Sequence, residues 1–311
     1  MTISQSLKFA VDKLTAKKIN LPHLEAEILL SEILKKPREF ILAHGERALT
    51  KPQITDYKLL IKKRLKGMPI AYITGEKEFY GLKFKVNKNV LIPRPETELM
   101  VEEALKLTAD GTPAAIIDVG TGSGCVIITL AKQIANCEFL ATDISAKALA
   151  VAGQNAKLHG VAKKIKFLKG DLLEPIAKIL DSRFPGEICF AFHGASRGND
   201  KKIKLFNPEL IITANLPYGW KAWKNNTSID SIGLKFEPKI ALYADKNGLE
   251  LYEKLFKQIK SLRVTLFALC EIDPRQTKMI KKMIKKELPQ AKFQIKKDLS
   301  GLNRLAIIKI A

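Results

Sequence analysis

Cysteine is scarce in this chain of 311 residues: four, at positions 125, 137, 189 and 270. No two stand at CxxC spacing, which argues against a zinc site, so no metal is expected. Isolated thiols of this kind fit a reducing compartment. Long apolar runs are absent as well. No stretch approaches the roughly 18 to 20 apolar residues of a membrane span. The N-terminal MTISQSLKFAVDKL meets charge before any apolar run of signal-peptide length. The expectation is a cytoplasmic protein without a membrane partner. Acidic residues are outnumbered, 32 against 53 basic ones, for a net charge of +21. Such an excess implies an acidic partner or work close to nucleic acid, and says nothing about fold. Arginine is also sparse, nine of those basic residues. Arginine is the usual choice for bidentate phosphate or base readout. A lysine excess reads more simply as a diffuse solvating field, and a biased overall composition would produce it too.

What is present is ordinary for a globular chain: 46% apolar and 27% charged residues, which excludes a fibrous or mostly disordered protein. The length suggests about two domains, each able to bury its own core. Residues 1–75 read as helices. Ile3, Leu7, Ala10, Val11 and Leu14 recur at helical spacing, as do Leu24, Ile28, Leu29, Ile33 and Leu34, and later Ile54, Tyr57, Leu60, Ile61 and Leu65. Thr50-Lys51-Pro52 reads as a cap followed by an early helical proline. A small bundle results, either purely structural or a holder for a protein partner. Residues 76–93 change period: Phe79 to Val86 alternates, Asn87-Lys88-Asn89 supplies a turn, and Val90-Leu91-Ile92 follows. That predicts a hairpin linker between two domains.

Glu96-Thr97-Glu98 opens a helix through about Leu107, and from 114 strands alternate with helices. Strands are expected at 114–119, 139–142, 165–168, 210–213, 264–272, 293–295 and 305–310. The pattern predicts an α/β domain over 94–311, with a mostly parallel sheet covered by helices on both faces. Residues 175–208 break it with a polar run and read as an inserted loop. The last 61 residues carry much of the charge, with Lys278, Lys281, Lys282, Lys285 and Lys286 along one helix face. Such a run is usually a solvated face; the second reading is a contact surface placing the protein near ribosome or RNA.

Four short segments carry chemistry. The first is Asp118-Val119-Gly120-Thr121-Gly122-Ser123-Gly124, which follows the first sheet strand and opens a helix. Glycines let the backbone pass close to a ligand, and helix-terminal N–H groups face its polar end. A dinucleotide fingerprint would need glycine at 125, where Cys125 stands. The second is Asp143, closing the next strand. An acid there accepts both ribose hydroxyls, or merely caps the helix that begins near Ser145. The third is Asp171-Leu172, after the third strand: an acceptor for an adenine amine beside an apolar face, or again a cap. The fourth is Asn215-Leu216-Pro217-Tyr218, directly after a strand and therefore at the carboxyl edge of the sheet. A planar NH₂ is a poor nucleophile because its lone pair is delocalised. The Asn215 side-chain carbonyl and a backbone carbonyl near Pro217 can accept its two hydrogens and aim the nitrogen at an electrophilic methyl. Tyr218 can stack on the planar group.

These segments, in this order, resemble the release-factor glutamine methyltransferases of HemK/PrmC type, and the likeness runs nearly the full chain. Residues 67–75 with Glu78-Phe79-Tyr80-Gly81 look like the family's interdomain segment. Val90-Leu91-Ile92-Pro93-Arg94-Pro95-Glu96-Thr97-Glu98 is its most specific signature. Phe236-Glu237-Pro238, Asn247-Gly248-Leu249 and residues 298–304 match later segments. The resemblance implies a seven-stranded, Rossmann-like class I methyltransferase domain over 94–311, a helical release-factor-docking domain over 1–75, and S-adenosyl-L-methionine as cofactor. By that likeness Gly120, Thr121, Gly122, Ser123, Gly124, Asp143, Asp171, Leu172 and Asn215 hold the cofactor. Asn215, Leu216, Pro217 and Tyr218 hold the glutamine of the release factor's Gly-Gly-Gln (GGQ) loop, with Asn215, Pro217 and Tyr218 catalytic. Leu216 departs from the family's usual Asn-Pro-Pro-Tyr. Asn-Leu-Pro-Tyr is also familiar from rRNA adenine dimethyltransferases, so the alternative is an adenine methyltransferase acting on RNA or DNA.

Overall fold

The computed structural model describes residues 1–109, 115–177, 210–220, 233–262 and 264–310. The insertion expected near 175–208 therefore lies, from residue 178 onward, outside the described residues. Among the described residues no helix is long and apolar enough to cross a membrane.

The chain forms two compact units, the smaller built chiefly from Met1–Glu76. It contains α1 (Ile3–Ala16), α2 (Pro22–Leu34), α3 (Arg38–Ala43), α4 (Lys51–Leu65) and α5 (Ile70–Thr74). Thr2 and Thr50 open α1 and α4 with reciprocal capping boxes, each hydroxyl answered by a glutamine three residues on. The apolar positions read from the helical period, among them Ile3, Leu14, Leu29 and Ile61, meet in one buried cluster.

The larger unit begins with β1 (Glu76–Phe79) and β2 (Leu82–Lys85), which pair as a two-stranded sheet. This corrects the expected hairpin. The turn falls at Tyr80-Gly81, both with positive φ (51° and 69°), not at residues 87–89. A two-residue loop with two left-handed residues matches strand twist, but tyrosine there gives no sequence signal. The segment Val90-Leu91-Ile92 forms no strand. The hairpin is held by α8 (Ala146–Leu158): the Asn155 amide donates to the Lys85 carbonyl at 3.0 Å and accepts from its N–H at 2.8 Å.

The remaining elements in chain order are α6 (Glu98–Leu107), β3 (Ala115–Val119), α7 (Cys125–Gln133), β4 (Glu138–Asp143), α8, β5 (Ile165–Lys169) and β6 (Leu210–Ala214). They continue with α9 (Glu250–Leu262), β7 (Leu266–Glu271), α10 (Thr277–Glu287), β8 (Lys292–Lys297) and β9 (Asn303–Ile310). The seven-stranded sheet has the order β5-β4-β3-β6-β7-β9-β8, with β9 alone antiparallel to both its neighbours. Every residue of β3 and β6 is buried, as expected of central parallel strands covered on both faces. The strand order reverses between β3 and β6, where open α/β sheets bind ligands. Their register sets Val119 opposite Ala214, so the glycine turn and Asn215 leave the sheet side by side.

Within the smaller unit, Arg64 is 1% exposed and forms a two-pronged ion pair with Glu25, at 2.7 and 3.1 Å. Removing one partner strands the other charge in a poorly solvated site. Arg64→Met should destabilise this unit by about 3–5 kcal/mol. The double variant with Glu25→Leu should recover much of that loss. Urea unfolding followed by circular dichroism checks both.

Candidate active site

The β3 turn is shaped by close contacts as much as by the ligand space it leaves. Gly120, Gly122 and Gly124 all have positive φ. A Cβ on Gly120 would stand 3.1 Å from Leu216 Cδ2, and one on Gly124 would stand 2.8 Å from Ile128 Cδ1. Gly124 therefore lets α7 pack against Ala152 of α8, and it does not line the cavity above the turn. That cavity, about 330 Å³, is lined by Gly120, Thr121, Gly122 and Ser123 and by residues from the ends of β4, β5 and β6.

Asp118, the last acid of β3, lies beneath the turn and is 3% exposed. Its carboxylate accepts from the Thr121 hydroxyl at 2.6 Å and from Thr213 on β6 at 2.8 Å. Burial pushes its pKa up to about 6, against the pull of those two hydroxyls. Asp143 accepts two backbone N–H groups, Gly122 at 2.9 Å and Ser145 at 2.8 Å. Burial raises its pKa. The cap of α8 is a neighbour: the Ser145 hydroxyl accepts from Ala148 N–H at 3.2 Å. Each Asp143 oxygen keeps a lone pair for a ligand hydroxyl. Next to it, Ile144 is 52% exposed and lines the cavity as a flat apolar surface.

Asp171 and Leu172 line the same cavity. Leu172 has φ 52°, a conformation uncommon for a leucine. Asp171 pairs with Lys254 on α9 at 2.6 Å, so its oxygens are not committed to a ligand alone.

Asn215, Leu216 and Pro217 line the cavity from β6. Among the described residues, the Asn215 amide donates from Nδ2 to Thr97 Oγ1 at 3.0 Å. Tyr218 does not line the cavity; its hydroxyl donates to Glu271 at 3.3 Å. Leu216 is buried at 2%, and its N–H donates to the Tyr252 hydroxyl at 3.4 Å. That hydroxyl also contacts the Glu271 and Ala214 carbonyls. The loop is pinned further on: fully buried Gln276 donates to the carbonyls of Tyr218 at 3.0 Å and Asn247 at 2.8 Å. At Gly248 a Cβ would stand 2.0 Å from the Tyr218 carbonyl oxygen, so only glycine allows this approach.

Four residues here were absent from the sequence-based set: Asp118, Thr97, Ile144 and Glu271. Asp118 and Thr97 stood inside quoted motifs, and Ile144 directly follows Asp143. Glu271 gave no local signal. Burial raises its pKa, against the pull of the Thr97 and Tyr218 hydroxyls and Arg304. Cys125 also lines the cavity, but burial pushes its thiol up to about 12, so it is not a thiolate nucleophile. The donor set suits a nucleoside with an amino-acid tail: a close-packed glycine turn, a carboxylate with spare lone pairs, and an exposed apolar side chain.

Residues 5–75 match the model of the PrmC N-terminal domain, and residues 112–190 match a methyltransferase domain. A release factor glutamine methyltransferase of Chlorobaculum tepidum is 35% identical over 84% of this chain and 81% of its own length. One from Enterococcus faecalis is 34% identical, covering 86% of this chain and 84% of that protein. A bifunctional methyltransferase of Rickettsia typhi is 34% identical over 83% of this chain, which spans only 48% of that longer relative. Among solved structures, the hMettl16 catalytic domain in complex with the MAT2A 3'UTR hairpin 6 superposes with a TM-score of 0.52 at 15% identity. It covers 84% of this chain and 82% of that one, a likeness of fold.

The raised pKa of Asp118 has a thermodynamic consequence. The folded state holds this proton more tightly than the unfolded chain, so the group favours folding below about pH 4. That contribution is lost as pH rises through about 6. Asp118→Asn removes the titration. Thermal melts of the two proteins should diverge between pH 4 and 7, with the wild type falling behind by on the order of 3 kcal/mol at neutral pH.

Proposed function

This chain belongs to the release factor glutamine methyltransferase family, and from that membership we propose that it methylates the glutamine of the GGQ motif in peptide chain release factors. The methyl group moves from S-adenosyl-L-methionine to the side-chain amide nitrogen. The observation that carries the reading is the kinship over most of both chains, joined to a planar-NH₂ acceptor site beside a glycine turn. The enzyme is thus a protein-glutamine methyltransferase. An adenine methyltransferase acting on RNA or DNA is less well supported, because the full-length relatives at 34–35% identity carry the release-factor name.

When bound, S-adenosyl-L-methionine supplies an electrophilic methyl already activated by its sulfonium. Gly120, Thr121, Gly122 and Ser123 would give it close backbone approach, Asp143 would accept from the ribose hydroxyls, and Ile144 and Leu172 would offer apolar surface to the adenine. Asp118 would supply a buried carboxylate on the side of the cavity at the glycine turn. Asp171 contributes an acceptor near the base. The Asn215 carbonyl oxygen and the backbone carbonyl near Pro217 accept the two hydrogens of the glutamine amide. They strengthen as the nitrogen gains positive charge, which is differential stabilisation of the transition state. Tyr218, anchored through its hydroxyl to Glu271, holds the loop in shape behind Asn215 and Pro217.

The helical unit at residues 1–76 is assigned to docking the release factor. On α10 five lysines, at 278, 281, 282, 285 and 286, are exposed while Ile280 and Ile284 are buried. That basic face supports proximity to ribosome or RNA, and the setting is cytoplasmic.

Labelled S-adenosyl-L-methionine, offered with separated release factor and ribosomal RNA, should label the GGQ glutamine, located by mass spectrometry. Label on adenine and none on release factor would overturn the proposal. Asn215→Ala should lower turnover about 100-fold or more, with cofactor affinity measured by calorimetry little changed.

A further inference from the structure

A buried hydrogen-bond chain leads away from Asn215 into the sheet. Asn215 Nδ2 donates to Thr97 Oγ1 at 3.0 Å, and the Thr97 hydroxyl donates to Glu271 Oε2 at 2.6 Å. Tyr218 donates to the other carboxylate oxygen at 3.3 Å. Thr97 is 2% exposed and Glu271 1% exposed, so water does not compete for these contacts. The two residues are 174 positions apart and meet because the segment before α6 packs beneath the end of β7.

The direction of this chain is fixed by counting hydrogens. A carboxylate only accepts, and a hydroxyl has a single hydrogen. Thr97 spends its hydrogen on Glu271, at the short distance of a charge-assisted bond. What remains on Thr97 is lone pairs. Asn215 must therefore turn its NH₂ to Thr97, and its carbonyl oxygen takes the other limb of the amide plane. Rotated by half a turn, Asn215 would offer two hydrogens to a substrate that itself brings two hydrogens.

We infer that Thr97 and Glu271 are positioning residues that lock the Asn215 amide with its oxygen, and not its NH₂, presented to the substrate. The inference rests on the reading of Asn215 as the acceptor for the glutamine amide. The lock makes the site selective: a planar NH₂ is accepted, and a group offering only lone pairs at that point, such as a carboxylate, is refused.

The test compares Thr97→Val, Thr97→Ser and Glu271→Met with the wild type on intact release factor. It reads kcat, KM, cofactor affinity by calorimetry, and thermal midpoint. Valine keeps the shape of threonine and loses the hydroxyl; serine keeps the hydroxyl and loses the methyl. A positioning role predicts that Thr97→Val lowers kcat at least 30-fold, with cofactor affinity within about threefold of wild type. Thr97→Ser should restore most of that loss. A packing role predicts the reverse order, valine outperforming serine, and that result would overturn the inference. Should Thr97→Val not fold, Glu271→Met decides. It frees the Thr97 hydrogen to turn toward Asn215, so kcat should fall at least 10-fold, and an unchanged kcat in a folded Glu271→Met protein rejects the lock. Wild-type protein that leaves the GGQ glutamine unlabelled would instead reject the underlying function, a separate and visible failure.

Discussion

The parallel pairing of β3 with β6 is the constraint on which the rest of this structure depends. It places Val119 against Ala214, and through that one register the glycine turn and Asn215 emerge together. Asp118 ties the two strands again at their ends by bridging Thr121 and Thr213. Shift the register by one residue and every side chain of β6 would change face. Both strands are buried throughout, so such a slip would put Thr213 where isoleucines now pack and break the Asp118 bridge. The two sides of the cavity are thus held in common alignment by core packing, and the loop after β6 is pinned in turn by Tyr252 and Gln276.

That alignment is accompanied by two buried acids. Asp118 and Glu271 are each nearly inaccessible, and burial raises both pKa values. Buried carboxylates are costly unless their oxygens are hydrogen-bonded. Here each receives two hydroxyl donors. The fold accepts reduced stability at the carboxyl edge of its sheet in return for fixed directions of hydrogen bonding around the cavity, a common trade in active sites. Peripheral charge does less: the lysines of α10 stand in solvent, where they shape a field without fixing a geometry.

Much of the architecture was legible in the sequence because its causes are local. The largely apolar runs of β3 and β6 read as buried strands, and Ala146–Leu158 reads as a helix from its period. Most of the glycine turn, Asp143, Leu172 and Asn215 could be named as candidates because each lies at or just beyond the carboxyl end of a strand. What stayed hidden depends on contacts between distant segments. Nothing near Glu271 announces that Thr97 will meet it. Lys254 lies 83 residues from Asp171, so the ion pair that occupies this acid is invisible in either segment alone. Gly124 carries the spacing of a ligand-binding glycine, yet a helix crossing requires it. The hairpin turn was misplaced because Tyr80 adopts a conformation usually signalled by asparagine or glycine.

Leu216 shows how a single departure from a family pattern propagates. Proline has no amide hydrogen, so a chain with proline at this position leaves nothing there to satisfy. Leucine introduces a buried donor, and an unanswered buried N–H is a liability in any lineage that acquires one. In this chain the hydroxyl of Tyr252, 36 residues away, receives it. The two positions are thereby physically coupled. Phenylalanine at 252 would remove the acceptor of the Leu216 N–H together with the donor that meets the Ala214 and Glu271 carbonyls. A motif letter that reads as tolerated drift is, in physical terms, one half of a pair.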